Sequence, residues 1–468
     1  MTDQTDPDAT TGGTAGTAGP DLIPLREATR AWFLISLQTF GGPAGQIAVM
    51  QRTLVEEKRW IGQQRFLFAL SYCTLLPGPE AQQLATYIGW LLNGVRGALV
   101  AGILFVLPGV VALLVLSAVY VAYGDTTLVE GLFLGLAPAV IAIVVQAVLR
   151  VAGRGLGHPA LVGMAAATFV ALTFLAVPFP VVVVVAGLLG WLLGRRLDLS
   201  RPRATSSGDG PEPLISDAAL HAAAPSARRN ALVLVGGLAL WAAPVAAVAL
   251  LFGAHSVFVD QGLFFSGAAL VTFGGAYAVL AYVAQQAVNV YGWLLPGEMV
   301  RGLALAETTP GPLVMVVQFV AFVGAYRSPG ELNPWVAAVV GALVTTWVTF
   351  VPCFLFILLG APYVERLRAN RLLSSALTAI TAAVVGVIAN LALYFTLHTL
   401  FHSTTRVRAG VLSFEVPHLP SLQLPALAIA GLGFFLLFAR RWSVLRTLGV
   451  CALAGIAVQL ALAAFGLG

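Results

Sequence analysis

Two short motifs occur twice in this chain of 468 residues. Phe40-Gly41-Gly42 returns as Phe273-Gly274-Gly275, and Pro77-Gly78-Pro79 returns as Pro310-Gly311-Pro312, both displaced by the same 233 positions. All four copies lie in strongly apolar sequence. Apolar helices rarely carry such clusters, because Pro removes a backbone donor and clashes with the preceding turn. Broken backbone inside lipid is tolerated only where protein buries it or where it lines a cavity. Gly/Pro-interrupted apolar segments at matching places in two halves point to the binding site of a transporter. The register extends past the motifs, with Thr39 falling on Thr272, Ala48 on Ala281, Val55 on Val288, Trp60 on Trp293 and Leu70 on Leu303. It slips later, where Phe105-Val106-Leu107-Pro108 best matches Phe350-Val351-Pro352 at another offset.

Composition fixes the solvent. Hydrophobic residues make up 59% of the chain and charged ones 10%, and the mean hydropathy is +0.91. Runs such as 99–123, 231–252 and 335–360 are each long enough to cross a bilayer, which takes about 20 apolar residues. The net charge of +5 does not point to nucleic acid, since the basic residues sit in short loops between apolar spans, the pattern that orients membrane proteins. Cys73, Cys353 and Cys451 are far apart and odd in number, and read as small buried hydrophobes, not as disulfides or a metal site. No zinc spacing of His and Glu, no phosphate loop with Lys and no Gly-x-Ser-x-Gly turn is present, so neither catalysis, a metal nor a cofactor is expected.

The hydropathy predicts an all-α integral membrane protein of about thirteen apolar segments. Residues 1–25 read as a disordered cytoplasmic tail; they lack the basic start and apolar core of a cleaved signal. Residues 26–197 form a first transmembrane repeat, with segments near 29–55 and 65–92 (both broken), 97–123, 127–150, 159–177 and 179–194. A polar cytoplasmic linker, 198–229, leads to an unpaired helix within 230–254. Residues 255–468 form the second repeat, with segments near 262–288 and 297–326 (both broken), 335–360, 372–397, 422–439 and 443–466. Six segments return the chain to its starting side and the unpaired helix carries it across, so the second repeat starts on the opposite face, as an inverted repeat. The charge bias favours a cytoplasmic N-terminus. The loop carrying Arg52, Lys58, Arg59 and Arg65 faces outside if every segment spans, and returns to the cytoplasm if the broken segments are re-entrant.

The breaks suggest the chemistry. Pro suits the first turn of a helix, and Gly permits a tight turn and close approach by a ligand. Each helix that starts after a break offers free N–H groups and the positive end of its dipole, a ready anion site. The expected substrate-binding positions are therefore Thr39, Gly41, Gly42, Pro43 and Gln46; Pro77, Gly78, Pro79 and Gln83; Thr272, Gly274 and Gly275; and Thr308, Thr309, Pro310, Gly311 and Pro312. Each motif also has a plainer reading as a packing kink or a close helix approach. Glu80 and Glu307 sit beside breaks deep in apolar sequence, where a carboxylate is costly and usually functional, so both are candidates for proton coupling. They occupy inequivalent repeat positions, Glu80 aligning with Leu313 and Glu307 with Thr74. Arg65, Arg96, Arg301 and Arg327 read as snorkelling segment ends, and His158, His398 and His402 as incidental.

The sequence Phe40-Gly41-Gly42-Pro43-Ala44-Gly45-Gln46, then Glu56-Glu57-Lys58-Arg59-Trp60, then Leu76-Pro77-Gly78-Pro79-Glu80-Ala81-Gln82-Gln83-Leu84-Ala85-Thr86-Tyr87-Ile88-Gly89, resembles the chromate ion transporter family. Thr272-Phe273-Gly274-Gly275 and Thr309-Pro310-Gly311-Pro312-Leu313 fit the same resemblance in the second half. It covers about 26–200 and 255–465 and is closest to the two-domain, long-chain type. The resemblance implies efflux of chromate across the inner membrane as a resistance function, with sulfate as the close structural analogue. The sequence leaves open sulfate or another tetrahedral oxyanion as the substrate, a non-transporting membrane scaffold or sensor, and assembly as a homodimer.

Overall fold

The computed structural model describes residues 23–195, 213–215, 220, 226–273, 275–364, 370–410 and 412–465, the side chain of residue 371 excepted. Residues 1–22 of the expected tail, most of the linker and Gly274 therefore lie outside the described residues, while Ile23 is buried and Leu25 already begins a helix, so the tail is shorter than the sequence suggests. The protein is mostly helical, with sixteen α-helices among the described residues. Six helices are long and apolar enough to cross a membrane, and five shorter ones are also apolar.

The first half holds α1 (Leu25–Ser36), α2 (Gly42–Gln51, running on as a π-helical turn over Arg52–Glu57), α3 (Gln63–Cys73), α4 (Glu80–Tyr123), α5 (Thr127–Gly155), α6 (Pro159–Phe174) and α7 (Phe179–Leu193). Helix α4 is interrupted at Asn93 (φ −136°, ψ 26°) and Gly94 (φ 57°, ψ −147°), which divide it into a short arm, 80–92, and a long arm, 95–123. Helix α8 (Ala227–Phe252) stands alone. The second half holds α9 (Val257–Leu270), α10 (Ala276–Asn289), α11 (Glu298–Thr308), α12 (Val316–Arg327, preceded by the 3-10 turn Leu313–Met315), α13 (Pro334–Gly360), α14 (Arg371–Leu400), α15 (Leu424–Phe434, continued by a π turn over Phe435–Ala439) and α16 (Val444–Ala464). Among the described residues, with the two arms of α4 counted separately, eight helical pieces precede α8 and eight follow it, four short ones leading in each half.

The broken segments come apart as the Pro and Gly residues predict. Helices α1, α3, α9, α10, α11 and α12 have only 11 to 14 residues each. At 1.5 Å per residue that is about 16–21 Å, short of the ~30 Å hydrocarbon core. Successive short helices fold back on each other. Lys58, just past α2, pairs with Glu27 in the first turn of α1 at 3.4 Å. Asn93, at the end of the short arm of α4, donates to the Ile23 carbonyl beside the start of α1 at 2.6 Å. In the second half Phe264 of α9 packs on Tyr282 of α10 and on Tyr291 beyond it. Arg327, at the end of α12, forks onto Glu298, at the start of α11, at 2.6 and 2.8 Å. The Tyr120 hydroxyl donates to the same carboxylate at 2.6 Å. The open ends of the first two hairpins thus lie at the start of the 95–123 arm, and those of α11 and α12 near its far end.

The apolar packing follows this division. One cluster gathers α1, α2, α3 and the short arm of α4 around Trp32, Phe66, Tyr72 and Tyr87. A larger one joins the long arm of α4 to α5, α7, α9–α14, α15 and α16. Helix α8 buries only Val248. It is held to α13 by two tryptophan N–H groups, Trp241 donating to the Val348 carbonyl and Trp347 to that of Leu240. The three cysteines are free and buried, in line with the sequence.

The structure departs from the all-α expectation in one place. Between α14 and α15 a β-hairpin pairs β1 (Thr404–Ala409) with β2 (Leu412–Pro417) in antiparallel register, Arg406 opposite Glu415. Its turn carries Gly410 at φ 62°. Leu412, Phe414 and Val416 alternate with Ser413 and Glu415, the period-two pattern of a strand, in a stretch that hydropathy reads only as a loop.

Candidate functional site

The four breaks meet. The Gly78 N–H donates to the Thr272 carbonyl at 2.7 Å, and the Gly311 N–H donates to the Thr39 carbonyl at 3.1 Å. Residues 39 and 272, and 78 and 311, are each one 233-residue shift apart, so the shift turns either bond into the other. Gln46 adds a donor to the Gly311 carbonyl at 2.5 Å. A Cβ placed on Gly42 would stand 3.9 Å from the Tyr277 hydroxyl, which ties the first break to the helix that follows the third.

The glycines at the centre have no substitute. Gly78 and Gly311 sit at φ +122° and +106°, a region L side chains rarely adopt. A Cβ on Gly78 would come within 2.8 Å of Gln83 Nε2 and 2.9 Å of Cys353 Sγ. One on Gly311 would lie 3.2 Å from the Gly109 Cα, in the long arm of α4.

Each break ends one helix and starts another. Helices α2, α4 and α10 and the turn before α12 all begin at a break, and none of the four has a side-chain cap. Their leading N–H groups lack intrahelical partners, and their dipoles turn the positive end inward. The threonines do a different job. Thr39, Thr272, Thr308 and Thr309 donate their hydroxyl protons to Ser36, Ala268, Leu305 and Ala306, closing the ends of the preceding helices. Gln83 donates to the Pro77 carbonyl at 2.6 Å. Gln46 and Gln83 are fully buried, and their Oε1 atoms have no partner. Pro43, Pro77, Pro79, Pro310 and Pro312 shape the breaks, and Gly41 and Gly275 both have positive φ.

Glu307 is the carboxylate at the centre. It lies in the last turn of α11 with 2% exposure, accepts a hydrogen bond from the Tyr277 hydroxyl, and leaves Oε2 unpartnered. Arg150 of α5 is the cation whose field reaches both Tyr277 and Glu307. Its guanidinium also donates to Gln146 at 3.1 Å. Glu80 is half-buried in the first turn of α4.

A family profile described as Chromate transporter matches residues 26–191 and 259–456. The chain belongs to the chromate transporter family. A chromate transport protein of Pseudomonas aeruginosa is 34% identical over 363 residues, covering 75% of this chain and 76% of its own. One of Cupriavidus metallidurans is 28% identical over 385 residues, covering 82% and 84%. A probable chromate transport protein of Synechococcus elongatus is 26% identical over 365 residues. No solved structure matches the chain.

For this chromate transporter family member, sequence reasoning misses Tyr277 and Arg150. Arg150 reads as the end of an apolar segment, whereas α5 continues to Gly155 and keeps Arg150 more than a turn inside the helix. A lone ionisable residue near membrane depth, four positions from Gln146, was the available signal.

Proposed function

We propose that this chain is a secondary transporter that exports chromate from the cytoplasm, with the four breaks as its anion site near the membrane midplane. The observation that carries the reading is the pair of bonds from Gly78 to Thr272 and from Gly311 to Thr39. A bond that maps onto its counterpart under the repeat shift is what a pseudo-two-fold axis between the halves requires. With hairpin mouths at opposite ends of the 95–123 arm, that axis lies in the membrane plane. The chain is then an inverted repeat of re-entrant hairpins, 26–197 and 255–468, joined through the linker 198–229 and α8. With the N-terminus and the Glu27–Lys58 mouth in the cytoplasm, the described basic residues left outside are Arg301, Arg327, Arg406 and Arg408, in keeping with the positive-inside bias.

The anion is held by the uncapped N–H groups of α2, α4, α10 and the α12 turn, aided by the remaining amide protons of Gln46 and Gln83. The threonine hydroxyls serve the backbone and not the substrate. A dianion leaving a cell that is negative inside gains about 4.6 kcal/mol per 100 mV, from about 2.3 kcal/mol per charge. Export therefore needs no nucleotide. Glu307, hydrogen-bonded by Tyr277 and within the field of Arg150, is the carboxylate suited to carry a proton in exchange, and Glu80 is the second candidate. Chromate is taken as the substrate because the relatives above are named for it; sulfate presents nearly the same tetrahedral acceptors. Flux into proteoliposomes, with chromate and sulfate competing under imposed voltage and pH gradients, tests the proposal. Absence of flux for any oxyanion in folded protein would point instead to a scaffold or sensor.

A further inference from the structure

A cavity of about 100 Å³ lies under the β-hairpin, between α6, α10 and α14. That is room for several waters, and for one small tetrahedral anion. Its polar wall is drawn from separate elements. Gln285 and Asn289 come from α10, Asn390 and Tyr394 from α14, and Arg406, Ser413 and Glu415 from the hairpin. Thr173 of α6 donates to Asn390 at 2.9 Å, and the buried Tyr394 hydroxyl has no partner.

One face of α10 leads from the cavity toward the break cluster. Tyr277, Ala281, Gln285 and Asn289 recur at four-residue steps and so share one face of α10. Tyr277 binds Glu307 at the breaks, Ala281 already lines the cavity, and Gln285 and Asn289 carry the wall outward. Asn390, Tyr394 and His398 repeat the same spacing on α14. The only small residue in the α10 stripe, Ala281, stands between the two polar regions.

The charges at the mouth are balanced for passage. Glu415 lines the cavity and pairs with His398 at 3.5 Å, while Arg406 opposite it on the hairpin supplies a permanent positive charge. Neutral amides and one guanidinium, set against the Glu415 carboxylate, make a weak anion site, and a conducting path needs stations that bind well enough to be entered and poorly enough to be left.

We propose that this cavity is an outer oxyanion station on the exit path from the breaks, running between α10 and α14, with Arg406 as its receiving cation. The proposal rests on the transport reading for its place in the path, but binding at the station is measured without transport. The test is labelling of Ser413→Cys in proteoliposomes by a membrane-impermeant maleimide, with and without external sulfate. Sulfate is the probe because chromate oxidises thiols, and sodium chloride of equal ionic strength is the control. The expected result is several-fold slower labelling with sulfate than with chloride, and loss of that protection when Arg406→Gln is added. Equal labelling in sulfate and chloride, up to concentrations that saturate flux, overturns the proposal. So does protection that survives Arg406→Gln. Sulfate and chromate flux measured in the same vesicles reports separately on transport: protection without flux keeps the station and removes the transport reading, whereas flux without protection moves the exit path elsewhere.

Discussion

Alanine at Gly78 and at Gly311 should both impair the protein, and Gly311 should suffer more. A non-glycine residue held at φ +122° or +106° costs on the order of 1–3 kcal/mol in backbone strain. At Gly78 the added Cβ meets the far ends of two side chains, Gln83 Nε2 at 2.8 Å and Cys353 Sγ at 2.9 Å. Gln83 can swing away, giving up its bond to Pro77 for about 1 kcal/mol, so the total is about 2–4 kcal/mol. At Gly311 the neighbour is the Gly109 Cα at 3.2 Å, backbone that cannot rotate aside. Separating it strains the Gly311 N–H bond to Thr39 and the Gln46 bond to Gly311, about 1 kcal/mol each, for a total of about 3–5 kcal/mol. Thermal unfolding in detergent and oxyanion flux in proteoliposomes measure the two effects together. Adding Cys353→Ala to Gly78→Ala removes one of the two close contacts, so the double variant should be more stable than the sum of the single changes. Wild-type stability and flux in both alanine variants, or a milder Gly311→Ala than Gly78→Ala, would refute the close packing of the breaks.

Glu307→Gln should leave oxyanion binding measurable by protection from thermal unfolding, yet remove the dependence of flux on a pH gradient; unchanged dependence in both Glu307→Gln and Glu80→Gln would leave voltage or anion exchange as the drive. Tyr277→Phe should shift that pH dependence without abolishing flux, read from initial rates across imposed gradients. Arg327→Met strips a carboxylate that is only 5% exposed of its ion pair. Since Arg327 is itself part-exposed, the expected cost is about 2 kcal/mol of stability, and an unchanged unfolding temperature would remove the clasp. For the re-entrant arrangement, an impermeant maleimide should label Glu57→Cys only from the cytoplasmic side and Val290→Cys only from outside, both positions being exposed.

The parts of this fold that were legible in the sequence are those with a local cause. Pro and Gly clusters break helices where they stand, so the breaks at 37–41, 74–79, 271–275 and 309–312 follow from the residues, and long apolar runs give the crossing helices. What was not legible depends on distant partners. Thr39 and Gln46 look like free groups in the chain, but both are engaged by Gly311, more than 260 residues away, whose N–H donates to the Thr39 hydroxyl and whose carbonyl accepts from Gln46. The folding back of the broken segments rests on pairs such as Glu27 with Lys58 and Glu298 with Arg327, of which the loop charges gave only a hint. The hairpin over 404–417 was hidden for another reason: its alternation is short, and hydropathy windows wide enough to find spans average it away. Arg150 is hidden because the apolar run stops where the helix does not.

The two halves repeat the backbone of the site more faithfully than its side chains. Tyr277 and Glu307 fall on Ala44 and Thr74 under the repeat shift, so the proposed pseudo-two-fold relates the breaks but leaves this carboxylate and its phenol on one side only. A symmetric pair of buried carboxylates would oppose a dianion from both sides. A single one opposes it from one side only. One proton entering for each dianion leaving moves three elementary charges, worth about 6.9 kcal/mol per 100 mV against about 4.6 for the dianion alone. The reversal potential of flux therefore distinguishes the schemes: with Glu307 as the sole carrier, Glu307→Gln should lower the charge moved per dianion from three to two. A value that stays at three in this variant would assign the proton to another group.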